Sequence, residues 1–171
     1  TEMLVETVVA AAEGTAPAII DIGTGSGAII LSLLHYLPQA TGTGVDISPK
    51  ALAIAAENGR TLGLDGRVTW IESDLFTKVP QGACDWLVSN PPYLTKGDME
   101  HLQPEVRHDP ALALYGGDDG LEFYRRIAAE SPAYVKAGGH CAVEIGAGQA
   151  DAVTAIFCRH GAYDHEQTVK D

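Results

Sequence analysis

A chain of 171 residues that is 46% hydrophobic and 20% charged has the composition of a single globular domain. Its formal net charge of −12 argues against a broadly basic nucleic-acid-binding surface, and no apolar run approaches the roughly 18 residues of a membrane span. No basic signal-peptide segment opens the chain, and no metal-site or redox spacing relates its three cysteines, Cys84, Cys141 and Cys158. We expect a cytoplasmic protein with reduced, buried thiols and no metal, whose partner is a small molecule or another protein.

Strands and helices alternate along the chain. Short apolar runs predict five strands, at residues 16–22, 41–47, 67–73, 84–90 and 140–146. Helical patterns occupy residues 1–13, 28–37, 50–64, 120–139 and 148–161, and Gly138-Gly139 is interpreted as the stop of the fourth helix. This order predicts an α/β fold, with a doubly wound, mostly parallel sheet and helices on both faces, over one domain of residues 1–171.

Two stretches do not fit this alternation. Residues 94–118 show no sustained period, and a loop of that length inside a domain is usually functional or mobile. Residues 162–171 begin like a strand and then stop, and the first helix opens without a cap. We therefore expect this chain to be part of a longer protein.

The segment DIGTGSGA, residues 21–28, lies at the turn from the first strand to the next helix. Gly23, Gly25 and Ala28 fit the dinucleotide pattern, whereas Gly23, Gly25 and Gly27 after Asp21 fit S-adenosylmethionine. A carboxylate suits a ligand that carries an amino group and a sulfonium, and it disfavours a pyrophosphate. We favour S-adenosylmethionine, and the predicted contacts in this turn are Asp21, Gly23, Thr24, Gly25, Ser26 and Gly27.

Three further residues at strand ends complete the predicted cofactor site. Asp46 ends the second strand, where a carboxylate can accept from both ribose hydroxyls. Asp74 follows the third strand and is predicted to meet the adenine amino group, with Leu75 against the ring.

The segment SNPPYL, residues 89–94, ends the fourth strand with two prolines that cannot donate backbone hydrogen bonds. An amide or ring amino nitrogen is a poor nucleophile, and a protein activates it mainly by holding it in position. The Asn90 side-chain oxygen and the Pro91 carbonyl are predicted to accept from such an –NH₂ group. Pro92 fixes the direction of that carbonyl, and Tyr93 offers a ring to pack on the planar substrate. Asn90, Pro91 and Tyr93 are the candidate catalytic residues, and Asn90 also borders the cofactor.

The runs DIGTGSGAI, VDIS, ESDLF and VSNPPY, in this order, resemble class I amino-methyltransferases with the Asn-Pro-Pro-Tyr signature. The narrower resemblance is to the HemK/PrmC group, the glutamine methyltransferases of peptide-chain release factors. It depends on TEMLVE at the start, on residues 105–127, and on EIGAGQADAV and EQTVKD near the end.

This resemblance implies a Rossmann-like fold, S-adenosyl-L-methionine as cofactor, and the Gly-Gly-Gln glutamine of a release factor as substrate. It assigns cofactor contacts to residues 23–27, Asp46, Leu75 and Asn90, and the substrate grip to residues 90–93. It also implies that the loop 94–118 closes over the incoming glutamine. The family has an N-terminal helical domain and a final strand, which we expect to be missing here, since only Thr1-Glu2 match its Pro-x-Glu-Thr-Glu run.

Other functions stay open on the sequence alone. A glutamine of a ribosomal protein, or an adenine amino group in DNA or RNA, could be the methyl acceptor. A nicotinamide oxidoreductase and an inactive cofactor-binding module are the remaining alternatives.

Overall fold

The structure is a computed structural model, and it describes residues 1–82, 84–100, 111–163 and 167–169. The chain divides into two compact units: Thr1–Asn90 with Ala133–Glu144, and Pro91–Pro132 with Ile145–Asp171. The assignment of residues 1–171 to one functional domain stays a prediction. Within the described ranges, none of the helices combines the length and the apolar character needed to cross a membrane.

The first unit contains a parallel sheet, formed by five strands among the described residues. They are β1 (Ala18–Ile22), β2 (Thr41–Asp46), β3 (Val68–Glu72), β4 (Cys84–Ser89) and β5 (Val135–Val143). The strand order is β3-β2-β1-β4-β5, and every neighbouring pair is parallel. Because the chain builds outward from β1 first on one side and then on the other, the sheet is of the doubly wound type. The predicted α/β fold is confirmed.

Three helices accompany these strands: α1 (Glu2–Ala12), α2 (Ala28–Tyr36) and α3 (Pro49–Thr61). The apolar sides of α1 and α2 share one core with β1 and β4, in which Val8, Leu34 and Val88 are fully buried. Helix α3 begins as predicted, since the Ser48 hydroxyl accepts from the Ala51 N–H at 3.3 Å.

Arg67 closes the end of α2, which the sequence analysis had not singled out. Its guanidinium donates to the carbonyls of Leu34, Leu37, Pro38 and Ala40 at 2.7 to 3.3 Å. The Leu34 carbonyl lies in the last turn of α2, where the proline four residues on has no N–H to donate to it. The other three carbonyls follow the helix, and that of Leu37 also accepts from the Ala40 N–H at 3.0 Å. One side chain therefore binds four carbonyls around this helix end.

The prediction for the fifth strand is wrong at its start. Gly138 and Gly139 do not stop a helix but lie inside β5, opposite an irregularity between Cys84 and Trp86. Gly138 has φ +77°, and a Cβ at Gly139 would lie 2.9 Å from the Asp85 carbonyl oxygen. A glycine pair is compatible both with a bulge in a strand and with the end of a helix. Here the pairing of β5 with β4 on both sides of the two glycines selects the bulge.

The second unit contains four helices among its described residues: α4 (Lys96–Glu100), α5 (Ala111–Leu114), α6 (Glu122–Glu130) and α7 (Ala150–His160). Helices α6 and α7 pack together. Of the loop 94–118, residues 101–110 lie outside the described part, while Leu94 pairs with Tyr115. Of the strand predicted from residue 162, residues 164–166, 170 and 171 lie outside it, and the described residues there form no strand.

The three cysteines are free and differ in exposure. Cys84 is buried in β4 and Cys141 is half-buried in β5, but Cys158 is exposed on α7. Burial was therefore wrongly predicted for Cys158, because α7 turns Val153, Ile156 and Phe157 inward at helical spacing and leaves Cys158 outside that face.

Candidate cofactor and substrate site

The first unit brings the ends of β1, β2 and β4 to one edge of the sheet, because parallel strands share the direction of their carboxyl ends. The glycine loop, residues 23–27, follows β1 at the centre of this edge. The N–H groups of Gly23 and Thr24 both donate to the Val45 carbonyl, at 2.8 and 2.9 Å. The Ser89 hydroxyl at the end of β4 donates to the Ile22 carbonyl at 2.7 Å. The loop is thus tied to both neighbouring strands.

The backbone of this loop requires its glycines. Gly23, Gly25 and Gly27 have φ of +72°, +57° and +82°, a region that L side chains adopt only with strain. A Cβ at Gly27 would lie 3.0 to 3.2 Å from side chains of Leu31, Trp70 and Ala55. Apart from the adjoining residues, no atom of the described part of the chain lies within 4 Å of a Cβ built at Gly23 or Gly25, so open space adjoins the backbone there.

Asp21 lies beneath the loop and is fully buried. Its Oδ2 accepts from the Thr24 hydroxyl at 2.6 Å, and its Oδ1 has no hydrogen-bond partner among the described residues. Burial, with a smaller contribution from the nearby Asp46, raises the pKa of Asp21 from 3.8 to about 7, although the hydrogen bond from Thr24 acts to lower it. An enclosed carboxylate of this kind supports the loop directly and favours positive charge close by, which fits a cationic ligand. Its contact with a cofactor stays a prediction.

Asp46 joins the glycine loop to α3. Its Oδ2 accepts from the Gly25 N–H and its Oδ1 from the Ser48 N–H, each at 2.8 Å. Both oxygens retain lone pairs after these bonds. The residue is half-buried, so its carboxylate can still accept from ribose hydroxyls, as the sequence predicts.

Leu75 has an unusual backbone conformation. Its φ is +45°, the only positive value at a non-glycine residue in the described part of the chain, and its side chain is buried. Asp74 before it is exposed, at the end of β3. A left-handed leucine is strained, and such strain is concentrated at ligand sites. The sequence carried no signal for this conformation, since leucine rarely adopts it.

Asn90 follows β4 and is linked to Thr1 and Glu144, which the sequence indicated only as part of a family resemblance and not as site residues. Its Nδ2 donates to the Thr1 hydroxyl at 3.2 Å, and that hydroxyl donates to Glu144 Oε2 at 2.7 Å. Asn90 Oδ1 accepts no hydrogen bond from any described residue. None of the described residues therefore occupies the oxygen that the sequence assigns to the substrate.

The second unit holds the remainder of the signature, Pro91 to Tyr93. Gln149 donates to the Tyr93 carbonyl at 3.1 Å and to the Gly120 carbonyl at 3.4 Å, and it accepts from the Gly146 N–H at 3.2 Å. From the sequence, Gln149 was indicated only as part of the family resemblance. Pro91 is buried, whereas Pro92 and Tyr93 are half-buried.

Three glycines pack against this same stretch of backbone. A Cβ at Gly116 would lie 2.6 Å from the Pro92 carbonyl oxygen, and one at Gly120 would lie 2.3 Å from that of Tyr93. A Cβ at Gly146 would lie 2.9 Å from the Tyr93 ring. The chain can approach Pro92 and Tyr93 closely at these three positions because glycine has no side chain.

Solved structures of methyltransferases share this fold. A ribosomal protein L11 methylase from Lactobacillus delbrueckii subsp. bulgaricus superposes with a TM-score of 0.68 at 17% identity, covering 94% of this chain and 68% of that one. A methyltransferase from Pyrococcus furiosus gives 0.69 at 17% identity, with 94% and 70% covered. At this identity the likeness shows the fold, a Rossmann-like methyltransferase fold.

The sequence assigns the family. The profile of the methyltransferase small domain matches residues 1–106, and the chain belongs to this family. A release factor glutamine methyltransferase from Geobacter sulfurreducens is 46% identical over 165 residues, covering 96% of this chain and 57% of the relative. One from Caulobacter vibrioides is 44% identical over 173 residues, covering 100% and 60%. The chain thus spans little more than half the length of these relatives, and its predicted resemblance to them is confirmed.

Proposed function

We propose that this chain carries the catalytic part of an S-adenosylmethionine-dependent protein-glutamine N-methyltransferase. The proposed substrate is the Gly-Gly-Gln glutamine of a peptide-chain release factor, the class of protein named in its relatives. The observation that carries the proposal is the open acceptor Asn90 Oδ1, which follows β4 in the unit that also holds the glycine loop.

The residues of the first unit fit S-adenosylmethionine. The open space beside Gly23 and Gly25 admits a ligand against the backbone. Asp21 Oδ1, which has no hydrogen-bond partner in the described part of the chain, favours a positive charge nearby. Asp46 would hold the ribose hydroxyls, with Asp74 and Leu75 at the adenine. When bound, this cofactor supplies a methyl group on a sulfonium that can be transferred to a nucleophile.

The chain's own residues position the acceptor nitrogen. Asn90 Oδ1 and the Pro91 carbonyl, which follows directly in the sequence, would each accept one hydrogen of the glutamine –NH₂. This holds the planar amide with its nitrogen face toward the methyl group, and the Tyr93 ring would pack against the amide plane. As the new N–C bond forms and the bond from the methyl group to the sulfonium sulfur breaks, positive charge would develop on the nitrogen, and a neutral thioether would leave. Both acceptors would stabilise that charge until one proton is lost to solvent.

Methyl transfer from radiolabelled S-adenosylmethionine to a purified release factor tests this function. We expect label on the glutamine, and a loss of roughly 100-fold or more in kcat for Asn90→Ala because positioning is removed. Gln81→Ala, which truncates an exposed amide side chain elsewhere, is the matched control and should retain activity. Label on a ribosomal protein or on nucleic acid, and none on the release factor, would show that the substrate is wrong.

A further inference from the structure

The amide group of Asn90 is held by a chain of hydrogen bonds whose direction is fixed by chemistry. Glu144 Oε2 accepts from the Thr1 hydroxyl at 2.7 Å, and an ionised carboxylate can only accept. A hydroxyl has one hydrogen, so the Thr1 oxygen then has only lone pairs to offer to its other neighbour. The atom of Asn90 at 3.2 Å from it must therefore be a donor, which is Nδ2. Oδ1 points to the other side.

Two features show that this arrangement is built into the fold. The N–H of Glu144 donates to the Ser89 carbonyl at 2.9 Å, so the ladder between β4 and β5 continues to the residues beside Asn90 and Glu144. Thr1 stands at the N-cap of α1, where a threonine hydroxyl normally accepts from the first helical turn, yet it makes no capping bond.

We propose that Thr1 and Glu144 are positioning residues that keep Asn90 Oδ1 directed at the substrate amide. This inference rests on the function proposed above. Asparagine presents an acceptor or a donor depending on a half-turn of its amide, and only the acceptor can hold a substrate –NH₂. Without the Thr1 hydroxyl, both orientations of the Asn90 amide become comparable in energy. In a fraction of the molecules, the Asn90 –NH₂ group would then face the –NH₂ group of the substrate glutamine, and neither can accept a hydrogen bond from the other.

The orientation is testable without methyl transfer, by NMR of the 171-residue chain. The Asn90 side-chain amide signal is assigned by its disappearance in Asn90→Asp. We expect nuclear Overhauser contacts from its two Nδ2 hydrogens to the Thr1 methyl group. These contacts should persist in Thr1→Ser as contacts to the serine Hβ atoms, and they should weaken in Thr1→Val, which keeps the shape but lacks the hydroxyl. Their absence from the unsubstituted protein would overturn the inference.

Kinetics test the consequence for the reaction. Thr1→Val and Glu144→Gln should lower kcat about tenfold. Valine cannot accept from Asn90 Nδ2, and glutamine can donate to the Thr1 hydroxyl, so in both variants the Asn90 amide is free to turn over. KM for the release factor and Kd for S-adenosylmethionine should change less than about twofold. Thr1→Ser keeps the hydroxyl and should retain the kcat of the unsubstituted protein. If the loss in Thr1→Val came only from a changed start of α1, the serine variant should lose activity too.

The two proposals fail in different ways. If the unsubstituted protein labels its release factor and Thr1→Val has an unchanged kcat, the positioning role is wrong and the proposed function stands. If it transfers no methyl group to that factor while the Overhauser contacts are present, the proposed function is wrong and the orientation of Asn90 is established by the NMR data.

Discussion

Gln149 holds the carbonyl of Tyr93 with its Nε2 at 3.1 Å, and its Oε1 accepts from the Gly146 N–H at 3.2 Å. The amide of one side chain therefore fixes the backbone of the last signature residue from within the same unit. An amide suits this role, since it donates from its nitrogen and accepts at its oxygen within one planar group.

Gln149→Glu should destabilise the second unit, because glutamate keeps the acceptor but cannot donate to the Tyr93 carbonyl. We expect a loss of about 1–3 kcal/mol in the free energy of unfolding, measured with urea at neutral pH. Gln81→Glu makes the same change in charge at an exposed site and serves as the control. Equal unfolding midpoints for the two variants would contradict this role of Gln149.

Gly120→Ala should be more destabilising than Gly148→Ala. The two glycines have similar φ values, +70° and +82°, so alanine meets a comparable backbone penalty at both. At Gly120 the new Cβ would lie 2.3 Å from the Tyr93 carbonyl oxygen, whereas at Gly148 no atom of the described residues, apart from the chain neighbours, would lie within 4 Å of it. We expect about 1 kcal/mol for Gly148→Ala and at least about 2 kcal/mol more for Gly120→Ala.

Thermal unfolding followed by circular dichroism would compare the two alanine variants. A similar melting temperature for both would mean that the Tyr93 backbone moves aside without penalty.

Asp21 should make the protein less stable as the pH rises. Its folded-state pKa of about 7 exceeds the ordinary value of 3.8, so the folded state holds the proton more tightly than the unfolded state. Stability should fall as pH rises from about 4 to about 7, and the full penalty, on the order of 4 kcal/mol, is present above pH 7. Asp21→Asn removes this titration.

The measurement is urea unfolding of the protein and of Asp21→Asn at several pH values from 4 to 8. The difference in stability should move in favour of the variant as the pH rises. Asp65→Asn, at an exposed position, is the control for removing one negative charge. A difference that does not vary with pH would show that Asp21 is ionised throughout this range.

Arg67→Lys should weaken the end of α2, since an ammonium group cannot reach the four carbonyls that the guanidinium satisfies. We expect a loss of about 1–3 kcal/mol in the free energy of unfolding by urea. Arg60→Lys, at an exposed position on α3, should change it by less than about 0.5 kcal/mol. A loss no greater for Arg67→Lys than for Arg60→Lys would mean that water replaces the guanidinium without penalty.

The sequence predicted those parts of the structure that depend on local pattern. Strands β1 to β4 and the glycine loop follow from short apolar runs and from glycines at a strand-to-helix turn. The start of β5 was mispredicted because Gly138-Gly139 suits two local structures, and only pairing with β4 selects one.

The contacts that hold the candidate site could not be predicted from the sequence. Thr1 and Glu144 are 143 residues apart, and neither has a neighbour in the sequence that indicates their hydrogen bond. The left-handed backbone of Leu75 follows from its surroundings, since a leucine does not favour it. Asp21 was predicted from its charge, but its complete burial depends on the loop folding over it.

The bulge at Gly138-Gly139 makes the number of residues in β5 decide which side of the sheet its later side chains face. Cys84 pairs with Val135, but Trp86, two residues on, pairs with His140, five residues on. Three extra residues are an odd number, so the insertion reverses which side of the sheet each later side chain faces. Loss of one residue there would exchange His140 and Cys141 between the two faces and turn Glu144 away from Thr1. Homologous chains should therefore vary in length at this point by even numbers of residues.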